Sequence, residues 1–271
     1  MRRMGVLLAA VLLCGCGQTA GVDEITAVVR EEGSGTRAAF GEAFALEEGD
    51  IDPDAVVTNS TSVVKLCVAG NPGAVGYLSY GALDASVRAL AIDGVAPTEA
   101  SLADGSYPVM RSFYLAAPAE ISPAAVDFLQ FIAGEQGRRV SHAAGFVPLA
   151  FDAPGGRGEA GRLVIAGSSS VAPLCEALRE AYLADRPGAA VEIQISDSST
   201  GAAALAAGIC DLAMLSRTPA AGEGAVAWAI ARDALAVIVH PDHPAHGLSS
   251  AQVRALFSGR AVSWHAFLSF D

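Results

Sequence analysis

The chain has 271 residues, of which 52% are hydrophobic and 17% charged, which is enough for one large domain or two smaller ones. Its formal net charge of -12 argues against nucleic acid or an anionic membrane surface as a partner. An acidic protein can still bind a small anion, but only through local donors that outweigh the field of the whole molecule.

The N-terminal residues have the pattern of an export signal. Arg2 and Arg3 precede an apolar run over residues 5–13, followed by the sequence LCGC, which ends at Cys16. The run is too short to span a membrane, and LCGC resembles a lipobox, in which Cys16 is acylated and becomes the new N-terminus. We therefore predict a lipoprotein of the periplasm or cell envelope, held to a membrane only by its lipid, with residues 1–21 as signal and tether. The alternative is an ordinary or uncleaved signal in which Cys16 is incidental.

Cys67, Cys175 and Cys210 remain in the body of the chain. An odd number cannot all pair, and none has C-x-x-C or His/Cys ligand spacing. We predict that they are buried as small apolar residues, and one disulfide stays open as an alternative.

Short apolar runs alternate with helical patterns along the rest of the chain. The predicted strands cover residues 25–29, 74–78, 163–166, 191–195 and 212–215. The predicted helices cover residues 36–45, 124–133, 173–183 and 202–207. This alternation predicts an α/β fold, and the Gly-rich residues 151–162 read as a linker.

Three of these strands are followed by a Ser/Gly/Thr turn and then a helix. The turns are REEGSGTR at residues 30–37, GSSS at 167–170 and DSSTG at 197–201. The first N–H groups of a helix are unpaired and carry the positive end of its dipole, so such turns suit an oxyanion. Any one turn alone is most simply an N-cap. Three together, one of them with Arg30 four residues before Ser34, predict an oxyanion site.

The combined motifs resemble those of the periplasmic phosphate-binding proteins of ABC transporters. The matching segments are GSSSVAP at residues 167–173, DSSTG at 197–201, DLAMLSR at 211–217, LSSAQVRALFSG at 248–259, REEGSGTR at 30–37, NPGAVGY at 71–77, YPVMR at 107–111 and GFVPL at 145–149. The resemblance implies a two-lobed type II periplasmic-binding-protein fold with a ligand cleft between the lobes. It further implies a monomer, without cofactor, metal or catalysis, that closes on inorganic phosphate and delivers it to an ABC permease in the inner membrane.

The order of these segments is rotated relative to the family. The segment that usually ends the family, up to Leu149, runs through the linker into the segment that usually begins it, at Leu163. We interpret the chain as a circular permutant. A fold tolerates circular permutation when its two termini lie close together at the surface. The alternative is a misjoined or truncated gene product. The implied division gives residues 22–107 to lobe two, 108–247 to lobe one including the linker 151–162, and 248–271 to the remainder of lobe two.

The resemblance also implies the phosphate ligands. They are Ser169, Ser170, Ser198 and Ser216 from lobe one and Arg30, Ser34, Gly35 and Thr36 from lobe two. Arg37 is expected to pair on the surface with Glu31 or Glu32. Some phosphate binders also place an aspartate in the site to accept a hydrogen bond from the protonated phosphate oxygen, which sulfate cannot donate. The matching strand end here reads Leu215-Ser216-Arg217 without one, and Asp197 is the predicted substitute.

Two other functions stay open as alternatives to phosphate delivery. A secreted serine hydrolase would need one of the five histidines as base, and the chain has no G-x-S-x-G elbow. A phosphate or other oxyanion sensor, or a surface lipoprotein, would keep the fold and the site. His240, His243 and His246 have a spacing that could hold zinc, but two prolines predict a solvated loop instead.

Overall fold

The computed structural model describes residues 23–265. The predicted signal segment, including Cys16, and residues 266–271 lie outside the described residues. Within residues 23–265, no helix is long and apolar enough to cross a membrane.

The described chain alternates strands and helices, as the sequence predicts. The strands are β1 (Thr26–Arg30), β2 (Val56–Thr58), β3 (Ala74–Ser79), β4 (Arg88–Ala89), β5 (Ala91–Ile92), β6 (Met110–Ala117), β7 (Val147–Pro148), β8 (Arg162–Ser168), β9 (Ala190–Ser196), β10 (Leu212–Leu215), β11 (Val226–Val239) and β12 (Gly247–Leu248). The helices are α1 (Gly35–Phe44), α2 (Thr61–Gly70), α3 (Glu99–Ala103), α4 (Pro123–Ala133), α5 (Glu135–Ala143), α6 (Ala172–Asp185), α7 (Ser198–Ala206) and α8 (Ser250–Phe257).

Most strands join one sheet with the order β2-β1-β3-β11-β6-β10-β8-β9. Strands β1, β2 and β3 are parallel at one side, and β8, β9 and β10 are parallel at the other. The strands β11 and β6, antiparallel to each other, lie between them. The predicted α/β class is confirmed: two parallel units are joined through a central antiparallel pair.

The half of the sheet that contains β1, β2 and β3 and the half that contains β8, β9 and β10 each have their own core, and these cores define the two lobes. Lobe one packs Ile165, Leu178 and Leu212 together, whereas lobe two packs Tyr77 and Phe257 together. Such a division into separate cores is the arrangement expected of a protein whose lobes move as units.

Strand β11 passes from one lobe to the other. Its first part pairs with β6 as far as Ala234, and the part from Leu235 to Val239 pairs with β3. Ala245 and Leu248 also pack in the core of lobe two. The packing therefore puts the crossing inside β11, not at residue 247 as the sequence division has it.

Local signals explain why the helices start where they do. The Ser34 hydroxyl caps α1 by accepting from the backbone N–H groups of Thr36 and Arg37. Asp197 caps α7 in the same way, so this helix begins at Ser198 and not at residue 202 as predicted. Sequence reasoning did not delimit α2, α5 and α8, or the full length of β11.

The linker is ordered by side chains of lobe one. Gln130 Nε2 donates to the carbonyls of Pro154 and Gly156, and Trp228 Nε1 donates to the carbonyl of Asp152. The residues from Phe151 to Gly161 form no helix or strand.

The cysteines and histidines have structural surroundings. Cys67, Cys175 and Cys210 are all free, so no disulfide forms among the described residues; Cys67 is half-buried and the other two are buried. His243 is only 3% exposed and packs edge-on against Trp264, so the prediction of a solvated loop is wrong at this residue. No group of three or more His, Cys, Asp or Glu side chains in residues 23–265 could hold a metal ion.

Candidate functional site

The three turns predicted to bind an anion meet at the boundary between the lobes. The turn after β1 leads into α1 in lobe two, while the turns after β8 and β9 lead into α6 and α7 in lobe one. The end of β10, at Ser216, and the start of α2, at Thr61, complete the meeting point. The site thus lies at the carboxyl ends of parallel strands, where open α/β sheets bind ligands.

Side-chain hydroxyls from both lobes form one hydrogen-bonded group here. We call it the hydroxyl cluster, and its members are Thr36, Thr61, Ser168, Ser169, Ser170, Ser198 and Ser216. Across the lobe boundary, Ser170 Oγ lies 2.7 Å from Thr36 Oγ1 and 3.0 Å from Thr61 Oγ1.

Within lobe one, Ser216 Oγ lies 3.0 Å from Ser168 Oγ and 3.3 Å from Ser198 Oγ. Ser170, Ser198 and Ser216 are fully buried. Because each hydroxyl can donate as well as accept, the cluster can turn several donors toward one anion.

Two glycines allow the lobes to come this close. A Cβ on Gly35 would overlap Ser198 Oγ and lie 2.7 Å from Ser216 Oγ, both in the opposite lobe. A Cβ on Gly33 would lie 2.6 Å from Asp197 Oδ1, and the backbone N–H of Ser199 donates to the Gly33 carbonyl at 3.3 Å. The glycines of the REEGSGTR motif therefore form part of the contact surface between the lobes.

Arg30 is buried beside the cluster, but its charge is paired. Its Nε and Nη2 donate to the two carboxylate oxygens of Glu31 at 2.8 and 2.7 Å, and its Nη1 donates to Thr61 Oγ1 at 3.3 Å. Arg37 instead pairs with Glu48 and donates to the Arg30 carbonyl at 2.6 Å. The prediction that Arg37 pairs with Glu31 or Glu32 is therefore wrong.

A second buried arginine, Arg111 on β6, reaches the same cluster. Its Nη1 donates to Thr36 Oγ1 at 2.9 Å, while its Nε and Nη2 donate to Asp233 on β11 at 3.0 and 2.9 Å. Burial raises the pKa of Asp233, against the opposing effect of Arg111. Sequence reasoning missed both residues. The available signals were Arg111 at the end of YPVMR and a lone aspartate within the apolar run of β11.

Asp197, the predicted hydrogen-bond acceptor for phosphate, lies at the edge of the cluster. Its Oδ1 accepts from the Thr200 backbone N–H at 2.9 Å and its Oδ2 from the Thr200 hydroxyl at 2.5 Å. Burial alone would raise the pKa of Asp197, but the Thr200 bonds outweigh it and the pKa is lowered. The carboxylate is thus engaged at the N-terminus of α7, and its role as acceptor stays a prediction.

The predicted ligands are therefore brought together. Ser169, Ser170, Ser198, Ser216 and Thr36 belong to the hydroxyl cluster, and Gly35 and Arg30 contact or adjoin it. Ser34 is buried as the cap of α1. Buried helix N-termini, hydroxyls and paired arginines between two closable lobes define a solute-binding type of site.

Comparison with known proteins agrees with this fold. The family model described as the PBP superfamily domain matches residues 19–136 and 152–270. The phosphate-binding protein PstS 2 of Streptococcus agalactiae is 37% identical over 277 residues, covering 95% of this chain and 94% of its own. The protein of the same name from Streptococcus pneumoniae is 37% identical over 251 residues, covering 89% and 86%.

A solved structure has the same fold. The phosphate-binding protein of a phosphate ABC transporter from S. pneumoniae TIGR4 superposes with a TM-score of 0.69 at 35% identity, over 90% of this chain and 99% of that one. This chain belongs to the PBP superfamily and, within it, to the family of the PstS phosphate-binding proteins.

The alignment with the S. agalactiae protein also bears on the order of segments. A single alignment that covers 95% of this chain and 94% of its relative carries the segments in one order in both proteins. The order is therefore shared with a relative and is not peculiar to this chain, which argues against a misjoined gene. That it is rotated relative to other members of the family stays a prediction.

Proposed function

We propose that the chain binds inorganic phosphate between its lobes and delivers it to an ABC permease, with closure of the lobes on the anion as the binding step. The observation that carries the proposal is the convergence of seven hydroxyls from both lobes, at the starts of α1, α2 and α7, in the turn before α6 and at the end of β10. A tetrahedral oxyanion suits such a site because it accepts hydrogen bonds from many directions. The names of the relatives point to the same ligand.

The proposed ligands divide between hydroxyl, backbone and charged donors. Ser169, Ser170, Ser198, Ser216 and Thr36 would supply hydroxyls, Ser34 and Gly35 the turn and helix N-terminus, and Arg30 a charge-assisted hydrogen bond. The buried cations are already paired, Arg30 with Glu31 and Arg111 with Asp233. Attraction in this site would therefore come mainly from oriented donors and helix dipoles, which is how an acidic protein can hold an anion.

The same geometry favours binding over catalysis. The hydrogen-bond partners of Ser170, Ser198 and Ser216 are other serine and threonine hydroxyls and backbone groups. One of these hydroxyls, that of Thr36, also accepts from the Arg111 guanidinium. Nothing in this arrangement activates a serine as a nucleophile, because that requires an adjacent base. We further propose that the protein is a monomer of the cell envelope, anchored by a lipid on Cys16.

Isothermal titration with phosphate, sulfate, arsenate and molybdate tests the ligand. Phosphate should give a saturable heat at one site per chain. Ser170→Ala should weaken binding about 10- to 150-fold, because a buried hydrogen bond to a charged group contributes roughly 1.5–3 kcal/mol. Ser106→Ala, at an exposed serine of lobe two, is the matched control and should bind like the wild type. Absence of heat with phosphate, or a stronger response to sulfate or molybdate, would overturn the assignment of phosphate.

A further inference from the structure

Arg111 and Asp233 face each other where the chain passes between lobes. They are direct partners in the antiparallel register of β6 and β11, so their side chains project from the same face of the sheet. Two residues beyond Asp233 on β11, Leu235 is in register with Ser79 at the end of β3. The pair therefore lies at the junction of the strands that connect the two lobes.

The Asp233 carboxylate is fully satisfied there. Arg111 donates to Oδ2 through Nε and Nη2, and the Ser79 hydroxyl donates to Oδ1 at 2.8 Å. Asp233 and Ser79 are each 1% exposed and Arg111 is 8% exposed. Two nitrogens of the guanidinium are thereby fixed in a planar fork, and Nη1 is the nitrogen left to point at the hydroxyl cluster.

The hydrogen bond from Arg111 Nη1 connects the Arg111–Asp233 ion pair to the proposed anion site. It donates to Thr36 Oγ1 at 2.9 Å, and an arginine can only donate. The Thr36 oxygen must therefore accept this bond, which leaves its own proton to be donated elsewhere. Ser170 Oγ at 2.7 Å and Ser216 Oγ at 3.4 Å, both across the lobe boundary, lie on the side of the hydroxyl cluster toward which that proton can be donated.

We propose that Arg111, held by Asp233 and Ser79, is a positioning residue that fixes the Thr36 hydroxyl as a donor to the bound anion. The proposal rests on the proposed function, since it assigns a role within the same site. A freely rotating hydroxyl could present a lone pair to an anion as easily as a proton; the Arg111 bond removes that freedom. A buried ion pair is costly to desolvate, and this directional role gives a reason for placing one here.

The test is phosphate titration of the purified chain with a double-mutant cycle. Removing both charges together as Arg111→Met with Asp233→Leu avoids leaving one charge buried alone, so the fold should persist. This pair variant should raise the phosphate Kd at least about tenfold, the size expected for one charge-assisted donor. Thr36→Val should raise it by a similar factor.

The combination of all three changes separates positioning from a direct or merely structural role. If Arg111 acts through Thr36, the combined variant should bind only about as weakly as Thr36→Val alone. The matched control replaces an ion pair of lobe one away from the cleft, Arg186→Met with Asp127→Leu, and should leave the phosphate Kd unchanged. Circular dichroism and Tm confirm that each variant is folded.

Each result of these titrations either supports or overturns the positioning role of Arg111. Wild-type affinity in the pair variant, or losses that multiply in the combined variant, would overturn the positioning role while leaving the proposed function intact. Absence of phosphate heat in the wild type would overturn both. If the pair variant does not fold, Arg111→Lys replaces it: the lysine keeps a cation beside Asp233 but lacks the fork, so the expected result is a native Tm with at least about tenfold weaker binding. Wild-type binding by Arg111→Lys would overturn the proposal.

Discussion

Replacement of Gly35 by alanine should prevent the lobes from closing without harming either lobe. Gly35 is the first residue of α1 in lobe two, and its backbone does not need the left-handed conformation. Alanine is a better helix former than glycine, so lobe two by itself loses nothing. The obstacle arises only across the boundary, where the new Cβ would overlap Ser198 Oγ and crowd Ser216 Oγ at 2.7 Å.

The size of the effect follows from that crowding. Ordinary contact begins at 3.4 Å, so the tighter contact, to Ser198 Oγ, would require the lobes to separate by about 1 Å, which breaks the short bond from Thr36 to Ser170. Overpacking of this kind costs about 1–3 kcal/mol. If the cost falls on the closed state alone, the phosphate Kd should rise about five- to 150-fold.

Titration calorimetry measures the Kd, and small-angle X-ray scattering measures compaction on adding phosphate. Gly35→Ala should bind weakly and compact less than the wild type, with an unchanged or slightly higher Tm in the absence of phosphate. Gly70→Ala is the matched control, because a Cβ on Gly70 at the end of α2 meets nothing within 4 Å. Wild-type affinity and compaction in Gly35→Ala would refute the reasoning.

Three further predictions concern other parts of the chain. Asp197→Asn should keep the cap of α7, since asparagine caps helices as well as aspartate does, and should weaken phosphate relative to sulfate; an unchanged ratio of the two affinities would remove Asp197 as the selective acceptor. Burial, aided by Arg88 and His240, lowers the pKa of His243 from 6.5 to about 4, so the folded state binds fewer protons there than the unfolded state between these values. The unfolding free energy should therefore fall by on the order of 2 kcal/mol as pH drops from 6.5 to about 4, and equally steep urea-midpoint curves against pH for His243→Gln and wild type would contradict this. Cys16→Ala should move the protein from the detergent phase to the aqueous phase on detergent partitioning, and an unchanged partition would exclude the lipid anchor on Cys16.

Local chemistry made much of the site predictable. The three turns combine Ser, Thr and Gly after an apolar run, and each of these residue types has a local reason to start a helix. The structure accordingly begins α1 at Gly35, next to its cap Ser34, and α7 at Ser198, next to its cap Asp197, four residues before the predicted start of α7. The strand preceding each turn is similarly encoded by a short run of β-branched residues, and these strands agree with the prediction to within two residues at either end.

The long strands between the lobes were harder to predict. Strand β11 is 14 residues long and combines partners from both lobes, so no single local period describes it. The packing differs from the division at residue 247 for the same reason, because residues 235–239 of β11 join lobe two by pairing with β3, which is remote in sequence.

The sequence by itself determined the α/β class, the starts of α1, α4 and α6 to within one residue, and the identity of the residues that carry donors, because each depends on neighbours within a few positions. Only the tertiary structure decided which charged groups pair with each other. Arg30 pairs with Glu31 and Arg37 pairs with Glu48, while Arg111 pairs with Asp233, which lies 122 residues away in the chain. Ion pairs and hydroxyl orientations follow from burial and three-dimensional register, and these exist only once both lobes have folded against each other.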